Sequence, residues 1–151
     1  MLRRLRREDL PLLEGILANN PSYYPDYLPQ SKEAYYSKML ETIDRFYYDF
    51  FVIDDNGVKG FVGTSHYRPQ DANIRLFVFT GEKELRRATM LEMKEYLCAN
   101  LPLKKIYVQV KEDDAMMIEI CSEMMEQEAC LKEYLYFNGT YQDLMIFGWK
   151  L

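Results

Sequence analysis

The chain has 151 residues, 48% apolar and 28% charged, which is room for one domain with its own core and not for two. Its formal net charge of −5 gives no overall pull on nucleic acid or anionic lipid and favours a cationic small molecule or basic peptide. An aromatic share of 15% argues against long disordered stretches.

Leu2 to Leu5 reads as a short strand inside a basic cluster of Arg3, Arg4, Arg6 and Arg7. That cluster is either a solvated strand and loop or a phosphate-binding arm. Glu8 and Asp9, followed by Leu10, Leu13, Ile16 and Leu17, predict an amphipathic helix that stops at Asn19-Asn20-Pro21. An aromatic segment with Tyr23, Tyr24 and Tyr27 leads to Ser31, an N-cap for a second helix reaching about Tyr47. Asp49 to Ile53 and Val58 to Tyr67 are paired strands, because Asn56-Gly57 supplies the positive φ angles of a tight type I′ hairpin turn.

Asn73 to Thr80 is a third strand, apolar on both faces and therefore central. Gly81 breaks it, and Leu85 to Asn100 has helical spacing through Met90, Met93 and Leu97. Lys105 to Val110 is a short strand, and Asp113-Asp114 opens a helix carrying Met117, Ile120, Cys121 and Met124. Leu131 to Phe137 and Asp143 to Trp149 are the last strands, with Asn138-Gly139 between them. A strand–helix–strand unit amid hairpin-linked strands implies an α/β (α+β) mixed sheet covered by helices, a single domain over residues 1–151.

Cys98, Cys121 and Cys130 are odd in number, lack metal-ligand spacing and sit among apolar residues. They are expected to be buried free thiols in a reducing compartment. No apolar run approaches the roughly 20 residues that span a bilayer, and the Arg-rich start lacks a following apolar core. A cytoplasmic protein without membrane or nucleic-acid partners is the resulting expectation, and no cluster of metal ligands appears.

The order of elements resembles the Gcn5-related N-acetyltransferase family over nearly the whole chain. L-R-R-L-R-R-E-D-L is similar to its first strand and helix start. F-F-V-I-D-D-N-G-V-K-G-F-V-G-T-S, with Gly60 and Gly63, is similar to its second and third strands. N-G-T-Y-Q-D-L-M-I-F-G resembles its closing hairpin, where an aromatic-x-Asp pattern is frequent. The resemblance implies a mostly antiparallel mixed sheet of about seven strands flanked by about four helices. It also implies acetyl-coenzyme A as co-substrate, no metal, and transfer of an acetyl group to an amine of a small molecule or peptide.

The same resemblance places the cofactor between the strands at Asn73 to Thr80 and Lys105 to Val110. Pantetheine would lie along Phe77, Val78 and Phe79, with the diphosphate on the start of the following helix. The family pattern at that helix, Q/R-x-x-G-x-G/A, is replaced here by G-E-K-E-L-R-R-A-T. Aligned on Lys83, Arg86 stands for the first glycine and Ala88 fits the last. Lys83, Arg86 and Arg87 either neutralise phosphate through side-chain charge or solvate an exposed helix start beside Glu82 and Glu84.

The family's acid for the thiolate is a tyrosine within N-x-x-A-x-x-L-Y-x-x-x-G-F. Here D-D-A-M-M-I-E-I-C-S-E-M-M puts Ile120 or Cys121 at that position. Cys121 is a candidate acid or a core residue. Asp113 and Asp114 are candidate catalytic groups or helix caps, and His66, the sole histidine, is a candidate base or a hydrogen-bonded strand residue. Tyr23, Tyr24 and Tyr27 are expected along the acceptor site, or as packing residues. Two functions follow: an acetyl-coenzyme A-dependent N-acetyltransferase, or a catalytically inactive binding or dimerisation module. A homodimer would use Phe137, Phe147 and Trp149 as apolar contacts.

Overall fold

A computed structural model describes residues 1–9, 11–12, 48–68, 70–78, 82–137 and 139–151. Among them, β1 (Leu2–Arg4) is followed by a single 3-10 turn at Arg7–Asp9 and then by β2 (Tyr48–Asp54). β3 (Val58–Arg68) and β4 (Asp71–Val78) precede helix α1 (Lys83–Asn100) and β5 (Lys105–Lys111). Helix α2 (Ala115–Met124), β6 (Glu126–Phe137) and β7 (Thr140–Lys150) complete the order. The predicted helix between Ser31 and Tyr47, and most of the one before it, lie outside the described residues.

The strands form one seven-stranded sheet in the order β1-β2-β3-β4-β5-β7-β6. Every neighbouring pair is antiparallel except β4 and β5, which the α1 crossover makes parallel. β7 lies between β5 and β6, so the last two strands form a hairpin attached through its second arm.

Alternation along the strands sends Ala72 and Ile74 of β4, and Ile106, Val108 and Val110 of β5, to one face. There they pack on Met90, Met93 and Leu97 of α1 and on Met117, Ile120 and Cys121 of α2. These side chains are almost fully buried, and each contributes roughly 1.5–3 kcal/mol relative to exposure when apolar and of this size. Phe51 and Val62 extend the same core towards β1.

β1 pairs with β2 through Leu2–Ile53, Arg3–Val52 and Arg4–Phe51, and charge adds to that hold. Arg3 grips both carboxylate oxygens of Asp9, at 2.8 and 2.9 Å, and reaches Asp54 at 3.0 Å. The Arg3 guanidinium, and secondarily the Arg6 amide, hold the Asp9 carboxyl below the usual range. Arg4 donates to the Tyr96 hydroxyl at 3.2 Å. Half of the basic cluster is therefore tied to the fold, while Arg6 and Arg7 are exposed.

Three expectations need correction. The β2–β3 turn has positive φ at Asn56 and Gly57, yet Asp54 pairs with Val58, so its loop is Asp55–Gly57 with a register shift behind it. Cys98 and Cys130 are exposed, because each lies on the outward side of its element; only Cys121 is buried. Phe147 and Trp149 are 1% and 7% exposed and belong to the core, which withdraws them as contacts between chains. Trp149 also donates from Nε1 to the Met124 carbonyl at 2.6 Å, pairing a group left open at the end of α2.

The aromatic-x-Asp pattern has a local explanation. Leu131 pairs with Leu144 and Leu135 with Gln142, so β6 carries extra residues opposite Asp143. Glu133 in that bulge has φ 48°, which a non-glycine residue adopts only with support. Asp143 supplies it, accepting from the Glu133 amide at 2.9 Å and from Lys132 Nζ at 2.7 Å. The ammonium first, then the amide, keep the Asp143 carboxyl well below the usual range.

Candidate functional site

The parallel ladder between β4 and β5 has only four rungs, from Asp71–Lys105 to Ile74–Val108. Beyond it both strands continue, each paired on its outer side alone. Leu76, Phe77 and Val78 stay with Val62, Phe61 and Gly60 of β3. Gln109, Val110 and Lys111 stay with Ile146, Met145 and Leu144 of β7. The sheet thus splits at the carboxyl ends of its two parallel strands, which is where open α/β sheets bind ligands.

Both helices begin at this mouth. α1 starts at Lys83, and its N-cap residue Glu82 forms no side-chain cap bond, so the first-turn amides are not capped in that way. α2 starts at Ala115 after Asp114, whose carboxylate accepts from the Met117 amide at 3.2 Å. Asp114 is therefore a helix cap in this fold. Asp113, beside it, contacts Lys111 at 3.4 Å and accepts from Gln142 at 3.2 Å.

The basic residues of α1 face the acids of α2 across the mouth. Lys83 Nζ lies 2.8 Å from both Glu119 and Glu123, and Arg87 lies 3.0 Å from Glu123. Glu119 first and Glu123 second push the Lys83 pKa up, and Lys83 pulls that of Glu123 down. These pairs are exposed and each contributes little to stability. Arg86 differs. Its side chain is 12% exposed, its contact with Asp114 is long at 3.4 Å, and its Nε is buried without a hydrogen-bond partner among the described residues. Ala88 is exposed on the same helix.

Of the remaining predicted residues, Phe77 and Val78 lie on β4 beyond the ladder, and Phe79 is outside the described residues. His66 is on β3, in the stretch between Ser65 and Arg68 where pairing with β4 is irregular. Tyr23, Tyr24 and Tyr27 are also outside the described residues. Cys121 is 0% exposed within the core. Burial foremost, with a smaller contribution from the Asp114 charge, pushes its thiol up to about 12. The structure thus brings Lys83, Arg86, Arg87, Asp113 and Asp114 to one mouth and sets Cys121 behind it.

Two features escaped the sequence reading. Glu119 and Glu123, spaced four apart on α2, oppose the α1 cations; that i, i+4 acidic spacing was the available signal. Asn73, inside the β4–β5 ladder, is fully buried, and neither amide atom has a hydrogen-bond partner among the described residues.

A mostly antiparallel seven-stranded sheet, split at one parallel pair whose ends face two helix starts, is the Gcn5-related N-acetyltransferase fold. Solved structures agree. Spermidine N-acetyltransferase from Vibrio cholerae, in complex with coenzyme A and spermine, matches with TM-score 0.85 and 22% identity, over 99% of this chain and 94% of that one. The same enzyme with manganese ions matches at TM-score 0.81 and 24% identity, over 99% and 91%. RimL, a ribosomal-protein alpha-N-acetyltransferase in complex with coenzyme A, matches at TM-score 0.79 and 17% identity, over 99% and 93%. No protein-family model and no curated protein matches the chain. At these identities the likeness establishes the fold.

Proposed function

We propose that this protein is an acetyl-coenzyme A-dependent N-acetyltransferase acting on a small-molecule or peptide amine. The observation that carries the reading is the split between β4 and β5, opening directly onto the start of α1. The residues there fit a diphosphate thioester: first-turn amides without a side-chain cap from Glu82, and Arg86 with a buried Nε that has no partner among the described residues and is able to donate to an anion. Arg86 would bind phosphate, with Lys83 and Arg87 adding charge. The open edges of Arg75–Val78 and Gln109–Lys111 would pair with the amide-bearing arm of the cofactor.

The cofactor supplies an activated acetyl thioester. The chain's contribution is to hold that carbonyl against β4 backbone amides, to align the amine, and to exclude water. The net charge of −5 supports a cationic acceptor, and the structurally similar Vibrio cholerae enzyme is a spermidine N-acetyltransferase. We leave Cys121 out of the chemistry, since a fully buried thiol with its pKa pushed up to about 12 is a poor proton donor at neutral pH.

A thermal-shift titration with acetyl-coenzyme A tests the reading. Binding to the native state raises Tm by mass action. No shift at millimolar cofactor defeats it.

One observation favours an inactive binding module: the cations of α1 are already engaged by acids of α2. In that reading a second copy would dock on the β6–β7 hairpin, where Tyr134, Tyr136 and Tyr141 are exposed. Loss of self-association on Tyr134→Ser/Tyr141→Ser, followed by light scattering, together with no cofactor binding, identifies that case.

A further inference from the structure

Lys83 and Arg87 stand one helical turn apart at the start of α1, and Glu119 and Glu123 stand one turn apart on α2. The two pairs interlock. Lys83 Nζ lies 2.8 Å from Oε1 of both glutamates, and Arg87 donates to Oε2 of Glu123 at 3.0 Å. Glu123 thus places one carboxylate oxygen on each cation. Fixing four long side chains costs conformational entropy, and exposed pairs of this kind return little stability. They are also not needed to join the helices, which already share the buried cluster of Met90, Met93, Met117 and Ile120.

Their effect is electrostatic. A helix start carries partial positive charge, and an ammonium and a guanidinium add to it here, so the place attracts anions. The chain supplies two of its own. Carboxylates on both sides of Lys83 Nζ do there what two phosphate groups would do, and so act as an internal substitute for a diphosphate. We propose that Glu119 and Glu123 form an autoinhibitory latch, which competes with the phosphates of coenzyme A for Lys83 and Arg87. This rests on the transferase reading above and assigns the regulation of that same site. Cofactor capture then exchanges ion pairs, with the carboxylates giving up the cations as the phosphates take them. The glutamate side chains are 62% and 38% exposed and can rotate into water without a shift of either helix. Arg86 lies outside the latch, because it meets Asp114 instead. The latch lowers cofactor affinity and weakens its dependence on salt, since pairs are broken as pairs are made.

A double-mutant cycle on the Kd for acetyl-coenzyme A, measured by isothermal titration at low salt, tests the latch. Lys83→Gln is expected to weaken binding by less than about twofold in the wild type, where the acids already occupy that cation. In the Glu119→Gln/Glu123→Gln background the same change is expected to cost about two- to fivefold. Equal losses in the two backgrounds overturn the proposal. Glu8→Gln/Glu95→Gln removes the same charge from exposed positions elsewhere and is expected to leave Kd within about 1.5-fold of wild type. Tightening there that equals the effect of Glu119→Gln/Glu123→Gln reduces the latch to net charge and overturns it. Glu123→Gln alone frees Arg87 and one side of Lys83, and it guards against a double variant that misfolds. It is expected to tighten binding by about twofold, and no tightening overturns the latch. Absence of acetyl-coenzyme A binding in the wild type and in the Gln variants alike defeats the transferase reading itself.

Discussion

Replacing Asp114 separates three roles that converge on one carboxylate. It caps α2 through the Met117 amide at 3.2 Å, it sits 3.4 Å from Arg86, and it is a candidate catalytic group at the mouth. Asp114→Ala removes the cap, which costs about 1 kcal/mol. In a domain of this size that lowers Tm by about 2–4 °C. Asp114→Asn keeps a capping oxygen of equal preference, so its Tm stays within about 1 °C of wild type. Both variants release Arg86 from its carboxylate contact with Asp114 and are expected to tighten coenzyme A binding by about two- to fivefold. Differential scanning fluorimetry reads the first effect, and isothermal titration with coenzyme A reads the second. Equal Tm losses in both variants would refute the capping argument, and weaker coenzyme A binding would refute the role given to Arg86. Turnover decides the third role: a fall of about 100-fold or more in both variants marks Asp114 as a proton-transfer group.

Three further outcomes are expected. Glu119→Gln combined with Glu123→Gln frees Lys83 and Arg87 together, whereas either single change leaves Lys83 one partner. Coenzyme A then binds about two- to fivefold tighter at low salt, and a titration at about 0.5 M salt erases the gain. Cys121→Ala opens a small void beside Ile120, lowering stability by about 1 kcal/mol in chemical denaturation and leaving acetyl transfer within about twofold. A large loss of transfer at unchanged fold would return Cys121 to the chemistry. Asp9→Asn weakens the anchor of β1 in a pH-dependent way. The folded-state pKa of Asp9 is depressed, so its contribution is present above the unfolded carboxylate value and is lost as pH falls through the folded one. The stability gap between wild type and variant is therefore full near neutrality and closes below about pH 4. A gap that persists in acid contradicts the ion-pair account.

Much of the architecture was legible because it rests on local signals. Asn56-Gly57 places the first hairpin, and the spacing of Met90, Met93 and Leu97 places α1 with its buried face. Boundaries failed where charge hid a strand. β6 begins at Glu126 and not Leu131, because Glu126 and Gln127 pair with Gly148 and Phe147 of β7 as an edge, where polar residues face solvent, and Glu128 bulges before Ala129 resumes the pairing. β4 begins at Asp71, which moves Asn73 from a strand end into the ladder and gives it a burial that no alternation pattern discloses. The α1–α2 ion pairs were invisible for another reason. Their partners lie 36 to 40 residues apart and meet only after both helices dock on the sheet.

The placement of β7 has a consequence for how the sheet is assembled. β5 can align with β4 as soon as α1 has crossed, but its other edge stays open until Thr140–Lys150 arrives and inserts beside it. Half of the sheet thus closes through contacts distant in sequence, a topology that slows folding and leaves a bare strand edge waiting during synthesis. The long β6–β7 ribbon, already twisted and pinned at its bulge by Asp143, is expected to form first and dock as a unit. Substitutions that loosen that ribbon would lower the yield of folded protein before they alter anything at the mouth of the split.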